Sequence, residues 1–116
     1  MKKLITLALA CLALGAALAL TAAPTPSTSD PVLDLAKSKQ CLTCHDVSGQ
    51  LTAPSFKEIA KEYHGVKNAN IFLAMIVQHG GTQHYGCKMM PPESARVKVS
   101  DADAMALSEW ILSMEK

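Results

Sequence analysis

The sequence predicts one small all-α domain behind an N-terminal export segment. Three observations carry this. Four stretches place apolar residues at helical spacing behind recognisable N-caps. No stretch of useful length alternates apolar and polar residues as a half-buried strand does. The chain has 116 residues, 49% of them hydrophobic, which is enough for one core and too little for a second.

Lys2 and Lys3 precede an uninterrupted apolar or small run, Leu4 to Ala23, and then Pro24-Thr-Pro-Ser-Thr-Ser29. That layout predicts a secretory signal over 1–22, a flexible leader over 23–29 and a folded domain over 30–116. The alternative is an uncleaved anchor, since about twenty residues rising about 1.5 Å each span about 30 Å of hydrocarbon. Either way the two lysines stay in the cytoplasm and the domain is delivered to the periplasm. The domain contacts a membrane only if the segment is retained. Residues 1–22 hold two of the eleven Lys and Arg and none of the ten Asp and Glu, so the remaining 94 residues carry a formal charge of −1. No basic footprint for nucleic acid remains. Three cysteines also remain, Cys41, Cys44 and Cys87, an odd number for an oxidising compartment.

The first helix is predicted from N-cap Asp30 and Pro31 to Lys39, with Val32, Leu35 and Ala36 on one face, running straight into Cys41. The second follows the capping box Ser55-Phe-Lys-Glu58 and carries Phe56, Ile59, Ala60 and Tyr63 as far as Gly65. A third starts near Asn68, presents Ile71, Phe72, Met75 and Ile76, and ends at Gly80-Gly81. From Gly81 to Val99 no periodicity is visible, and an aperiodic stretch of that length in a small domain signals a functional loop. The last helix starts at Ser100-Asp-Ala-Asp103 and buries Ala104, Leu107, Trp110, Ile111 and Met114. Met75, Met105 and Met114, at helical positions, read as core filling.

Cys41-Leu-Thr-Cys44-His45 is the C-x-x-C-H pattern of covalent haem attachment. Two thiols three positions apart on a helical turn can add across the two vinyl groups of one porphyrin, and the next residue then lies beneath the iron as proximal ligand. The other ring nitrogen of His45 needs an acceptor, which a backbone carbonyl of the nearby Ala53-Pro54 segment can supply. Two other chemistries use such thiols. A dithiol redox site wants alternating strands and helices, which this chain lacks. A zinc site could recruit Cys41, Cys44, His84 and Cys87, but leaves His45 and Met90 without a role. A thioether is a soft iron ligand, and Pro91-Pro92 stiffen the loop behind Met90; Met89 is the competing thioether outside that register. Cys87 reads as a buried small apolar residue, and His64, His79 and His84 as surface or cap residues.

On the early helix ending at Cys41-Leu-Thr-Cys44-His45, the Ala53-Pro54-Ser55-Phe56 loop, the Tyr85-Gly86-Cys87-Lys88-Met89-Met90-Pro91-Pro92 loop and the closing Ser108-Glu109-Trp110-Ile111-Leu112, the chain resembles the small bacterial class I cytochromes c. The resemblance covers essentially all of the chain after the signal. It implies four or so helices wrapped around one covalently bound haem c, held through Cys41 and Cys44, with His45 and Met90 as axial ligands. It also implies that the Pro54 carbonyl accepts from His45 and that Tyr85 reaches a haem propionate. Family members often carry Trp where this chain has Tyr85. The implied function is that of a non-enzymatic, monomeric one-electron carrier, docking transiently by its exposed haem edge to donor and acceptor redox proteins, with Lys88 as a steering charge. A ligand-sensing cytochrome whose Met90 dissociates, and a dedicated subunit of a larger oxidase or reductase, are the competing functions.

Overall fold

A computed structural model of the chain describes residues 29–81 and 89–115. Helix α1, Pro31–Ser38, begins where Asp30 accepts a hydrogen bond from the Val32 amide, with proline at its first position. It stops at Lys39, and Gln40 turns left-handed (φ 59°) before a 3-10 turn over Cys41–Thr43. The run from α1 into Cys41 is therefore broken, and the thiols stand on a tightened turn, not on a continued α-helix.

Helix α2, Phe56–Glu62, is closed at its start by both halves of the capping box: the Glu58 amide donates to Ser55 Oγ, and the Glu58 carboxylate accepts from the Ser55 amide. Helix α3, Ala69–His79, ends at Gly80, and helix α4, Asp101–Leu112, starts from Ser100, whose hydroxyl accepts from the Asp103 amide. A second 3-10 turn covers Glu93–Ala95. Among the described residues the β structure is one isolated antiparallel bridge, Gly81 with Met90.

Helix α4 packs on the other three, most extensively on α3. One buried cluster joins Ala36 of α1 and Ala74 of α3 to Val99 and to Ala104 and Leu107 of α4. A second joins Phe56 and Ile59 of α2 to Leu73 and Ile111. Trp110 is half-buried between them, its indole N–H donating to Asp30 Oδ2 at 2.5 Å, so the α1 cap and the α4 face are tied together.

The inward face of α3 differs from the expected one. Leu73 and Ala74 are buried, whereas Ile71 and Met75 are 51% and 55% exposed, and Phe72 lies against Tyr63 with ring centroids 5.7 Å apart. Ala69 to Val77 is apolar nearly all round, so its periodicity selects no face; packing on α4 does. Met75 is thus not core. Met105 and Met114 are half-buried against the two clusters.

Candidate functional site

The site is built on the turn after α1. The amides of Cys44 and His45 both donate to the Cys41 carbonyl, at 3.2 and 3.0 Å, so the two thiols and the imidazole leave one tight turn. The next residues fold back on it: the Ala53 amide donates to the Cys44 carbonyl (3.0 Å) and the Phe56 amide to the Asp46 carbonyl (2.9 Å). Asp46 stiffens the loop, accepting from the Val47 and Gly49 amides at 2.7 and 3.0 Å.

This fold-back brings the Pro54 carbonyl to 2.7 Å from His45 Nδ1. A carbonyl only accepts, so Nδ1 carries the proton and Nε2 keeps its lone pair. Burial pushes the imidazole below its ordinary pKa, against the opposing effect of the Pro54 bond, and so favours the neutral ring that a metal requires. Phe56 stacks on the ring, centroids 5.4 Å apart and 20° from parallel, and Trp110 meets Phe56 edge-on at 5.4 Å. The ring is held by one hydrogen bond and one stacked face. No disulfide joins Cys41 and Cys44; before attachment, burial pushes the Cys41 thiol up, opposed by the nearby Arg96 charge.

Beside these groups lies a cavity of about 830 Å³. Cys44, His45, Ile59, Leu73, Ile76 and Met90 line it, with Gln50, Thr52, Lys61 and Glu62 at its polar margin. A smaller apolar pocket of about 60 Å³ continues it toward Cys41 and Leu107, again with His45 and Met90 in its wall. The larger cavity falls within the range of about 300–1,000 Å³ usual for cofactor sites. Space for a flat apolar group, two thiols, an imidazole with a free nitrogen and a soft thioether together fit one iron porphyrin.

Met90 reaches the cavity from the far end of the sequence. Its amide and carbonyl pair with Gly81 at 3.0 and 3.2 Å. Gly80 (φ 79°) makes that approach possible, because a Cβ there would stand 2.6 Å from the Met90 carbonyl oxygen and 2.5 Å from that of Pro91. Met89 also touches the larger cavity but is 60% exposed and absent from the inner pocket.

Cys41, Cys44, His45, Pro54 and Met90 are thus brought to one cleft. Tyr85, His84, Cys87 and Lys88 lie outside the described residues. His64 and His79 are exposed and line neither cavity. Among the described residues no three His, Cys, Asp or Glu side chains cluster as a metal site. Sequence reasoning missed Arg96, which stands in the aperiodic stretch with no motif around it and yet contacts the Met90 segment. It also saw Gly80 only as a helix stop.

A helical chain whose paired thiols and oriented imidazole open on an apolar cleft shared with a thioether is a c-type cytochrome in class. The chain belongs to the cytochrome c family, whose model matches residues 33–115. It is 40% identical over 81 residues to cytochrome c-552 of Hydrogenobacter thermophilus, covering 70% of this chain and 79% of that protein. It is likewise 40% identical over 82 residues to cytochrome c-552 of Nitrosomonas europaea, covering 71% of this chain and 77% of that one. The crystal structure of wild-type Nitrosomonas europaea cytochrome c552 superposes with a TM-score of 0.66, covering 72% of this chain and 99% of that structure. The chain is therefore a small monohaem electron-carrier cytochrome with covalently bound haem c.

Proposed function

We propose that Cys41 and Cys44 form the two thioethers, that His45 Nε2 is the proximal ligand, and that Met90 is the distal ligand of a freely diffusing periplasmic electron carrier. The observation that carries the reading is the 2.7 Å bond from His45 Nδ1 to the Pro54 carbonyl, which leaves Nε2 free beside the cleft that Met90 also lines. When bound, haem supplies reversible one-electron chemistry at iron.

The residues around it do the rest. Cys41 and Cys44 would hold the haem, each through a thioether made by adding its S–H across one vinyl group. Pro54 fixes the imidazole tautomer and, by drawing on the N–H, raises the basicity of Nε2. Met90 as a ligand would leave the site closed to substrates, which suits transfer of electrons without chemistry on a bound molecule. Ile59, Leu73 and Ile76 line the cleft and would keep water from a bound haem; together with a thioether ligand this would favour a high reduction potential. Tyr85 is assigned to the haem surroundings by resemblance.

Residues 1–22 are proposed as the export signal and residues 30–116 as the cytochrome domain. No described helix is long and apolar enough to cross a membrane. Partners are transient donor and acceptor redox proteins meeting the haem edge, and the carrier is a monomer. Absorption spectra of the oxidised and reduced protein test the ligand set. Covalent haem is expected, with a weak far-red band in the ferric form that Met90→Ala abolishes. A wild-type protein without that band would refute the Met90 assignment, and haem released by denaturation would refute the thioethers. Recovery in the cytoplasmic fraction of cells would refute the location.

A further inference from the structure

Three restraints converge on the Met90–Pro91 segment. Two are made by backbone: the paired hydrogen bonds with Gly81, and the close approach of Gly80. The third is a cation. Arg96 Nε donates to the Pro91 carbonyl at 2.5 Å, and Nη2 donates to the Gln78 carbonyl at 3.2 Å. Those two nitrogens share one edge of the planar guanidinium, so a single rigid group ties the segment to the last turn of α3. The Gln78 carbonyl is among those at a helix end that have no intrahelical donor. Gln78 is itself anchored, its side-chain amide donating to Asp101 Oδ1 of α4 at 2.5 Å.

Arg96 is half-buried and has no carboxylate partner among the described residues; Glu93, three positions earlier, pairs with Lys98 at 3.3 Å. A full charge whose bonds go to two main-chain carbonyls fixes backbone and neutralises no acid. The segment it fixes carries Met90, one residue before the carbonyl that it grips.

We propose that Arg96 is a positioning residue for the distal ligand: by clamping the Pro91 carbonyl to the end of α3 it holds the Met90 thioether at the iron and sets how readily an outside ligand displaces it. The proposal rests on the assignment of Met90 as that ligand. A thioether on a loop competes with any external donor, and the freer the loop, the weaker its hold. A hydrogen bond from a charged donor is among the stronger restraints a side chain can put on such a segment.

Imidazole titration of the ferric holoprotein, followed by absorption, measures that competition. Arg96→Ala is expected to tighten apparent imidazole binding about tenfold or more. Arg96→Lys keeps the charge but cannot grip two carbonyls along one edge, so it should fall between wild type and alanine, and it remains informative if the alanine variant does not accumulate. In a Met90→Ala background Arg96→Ala should leave imidazole binding within about twofold, because no thioether is left to hold. Unchanged binding in both Arg96 variants overturns the proposal even if their melting temperatures fall. Equal tightening with and without Met90 also overturns it, since the effect would then be one of access. Failure of the underlying assignment looks different: Met90→Ala alone would keep the far-red band and wild-type imidazole affinity, and both readings would fall.

Discussion

Gly80→Ala is the sharpest perturbation of the Met90 side, and its size follows from two costs at one atom. Gly80 sits at φ 79° and ψ 178°, a region essentially reserved for glycine, so an alanine there costs about 1–3 kcal/mol in backbone strain. Its Cβ would also stand 2.5 Å from Pro91 O, 2.6 Å from Met90 O and 2.8 Å from Pro91 C, all main-chain atoms that cannot rotate away. Relieving such an overlap costs about another 1–3 kcal/mol. Gly65 is the control: its φ is 72°, but nothing lies within 4 Å of an added Cβ, so Gly65→Ala meets the backbone cost alone. Thermal unfolding of both holoproteins, read with the ferric far-red band, makes the comparison. With about 4–8 °C of melting temperature per kcal/mol in a domain this size, Gly80→Ala should melt roughly 10 °C or more below wild type, and below Gly65→Ala. Its far-red band should weaken as the Met90 segment moves. Equal melting of the two variants, with the band intact in Gly80→Ala, would refute the reasoning.

Ser55→Ala removes a fully buried hydroxyl that accepts from the Glu58 amide and donates to the Glu58 carboxylate, so α2 should lose about 1–2 kcal/mol in chemical denaturation, whereas Ser55→Thr should recover most of it. Leu107→Ala opens a cavity where α4 meets the α1–α3 cluster and should cost about 2–5 kcal/mol by the same measurement; a loss below about 1 kcal/mol would mean that the site collapses around the smaller residue. Acid stability has a definite sign. Asp30 is held below the usual carboxylate value near 3.8 by the Val32 amide and then the Trp110 indole, and Asp103 by Lys39 and then Ser100. Their folded-state values lie below the unfolded one, so their contribution is present above about pH 4 and is lost as pH falls through the lowered values. Asp30→Asn and Asp103→Asn should therefore flatten the acid limb of a stability profile below pH 4, and curves parallel to wild type there would contradict the assignment.

How much could be read in advance depended on how local each signal was. The starts of α1, α2 and α4 were legible because a cap is a contact over two or three residues: Asp30 to Val32, Ser55 to Glu58 and Ser100 to Asp103. The orientation of α3 was not, because Ala69 to Val77 is apolar on nearly every side, and Leu73 and Ala74 face inward only because α4 lies there. The break at Gln40 was invisible too, since a left-handed glutamine carries no compositional mark. Within the site, Cys41, Cys44 and His45 announced themselves by spacing, and Pro54 by proximity and resemblance. Arg96 could not announce itself, because its partners, Gln78 and Pro91, belong to different elements, and an arginine in an aperiodic stretch is ordinarily a solvated charge.

The two proposed axial ligands differ in whether a helix outside their own loop supports them. His45 is fixed by contacts made within its own neighbourhood: the Cys41 carbonyl, the Pro54 carbonyl and the stacked Phe56 ring. Those contacts form whenever the short loop closes, at modest entropic cost. Met90 is fixed by groups no farther away along the chain, but Gly80, Gly81 and the Gln78 carbonyl held by Arg96 stand at the end of α3, so its support depends on α3 being seated on α4. Loosening α3 is therefore expected to free the Met90 segment before it opens the Cys41–His45 turn and the Pro54 bond. On the proposed ligand set an electron carrier gains from that order of strength, because the Met90 thioether would raise the potential, whereas His45 and the links through Cys41 and Cys44 would keep the cofactor on the chain.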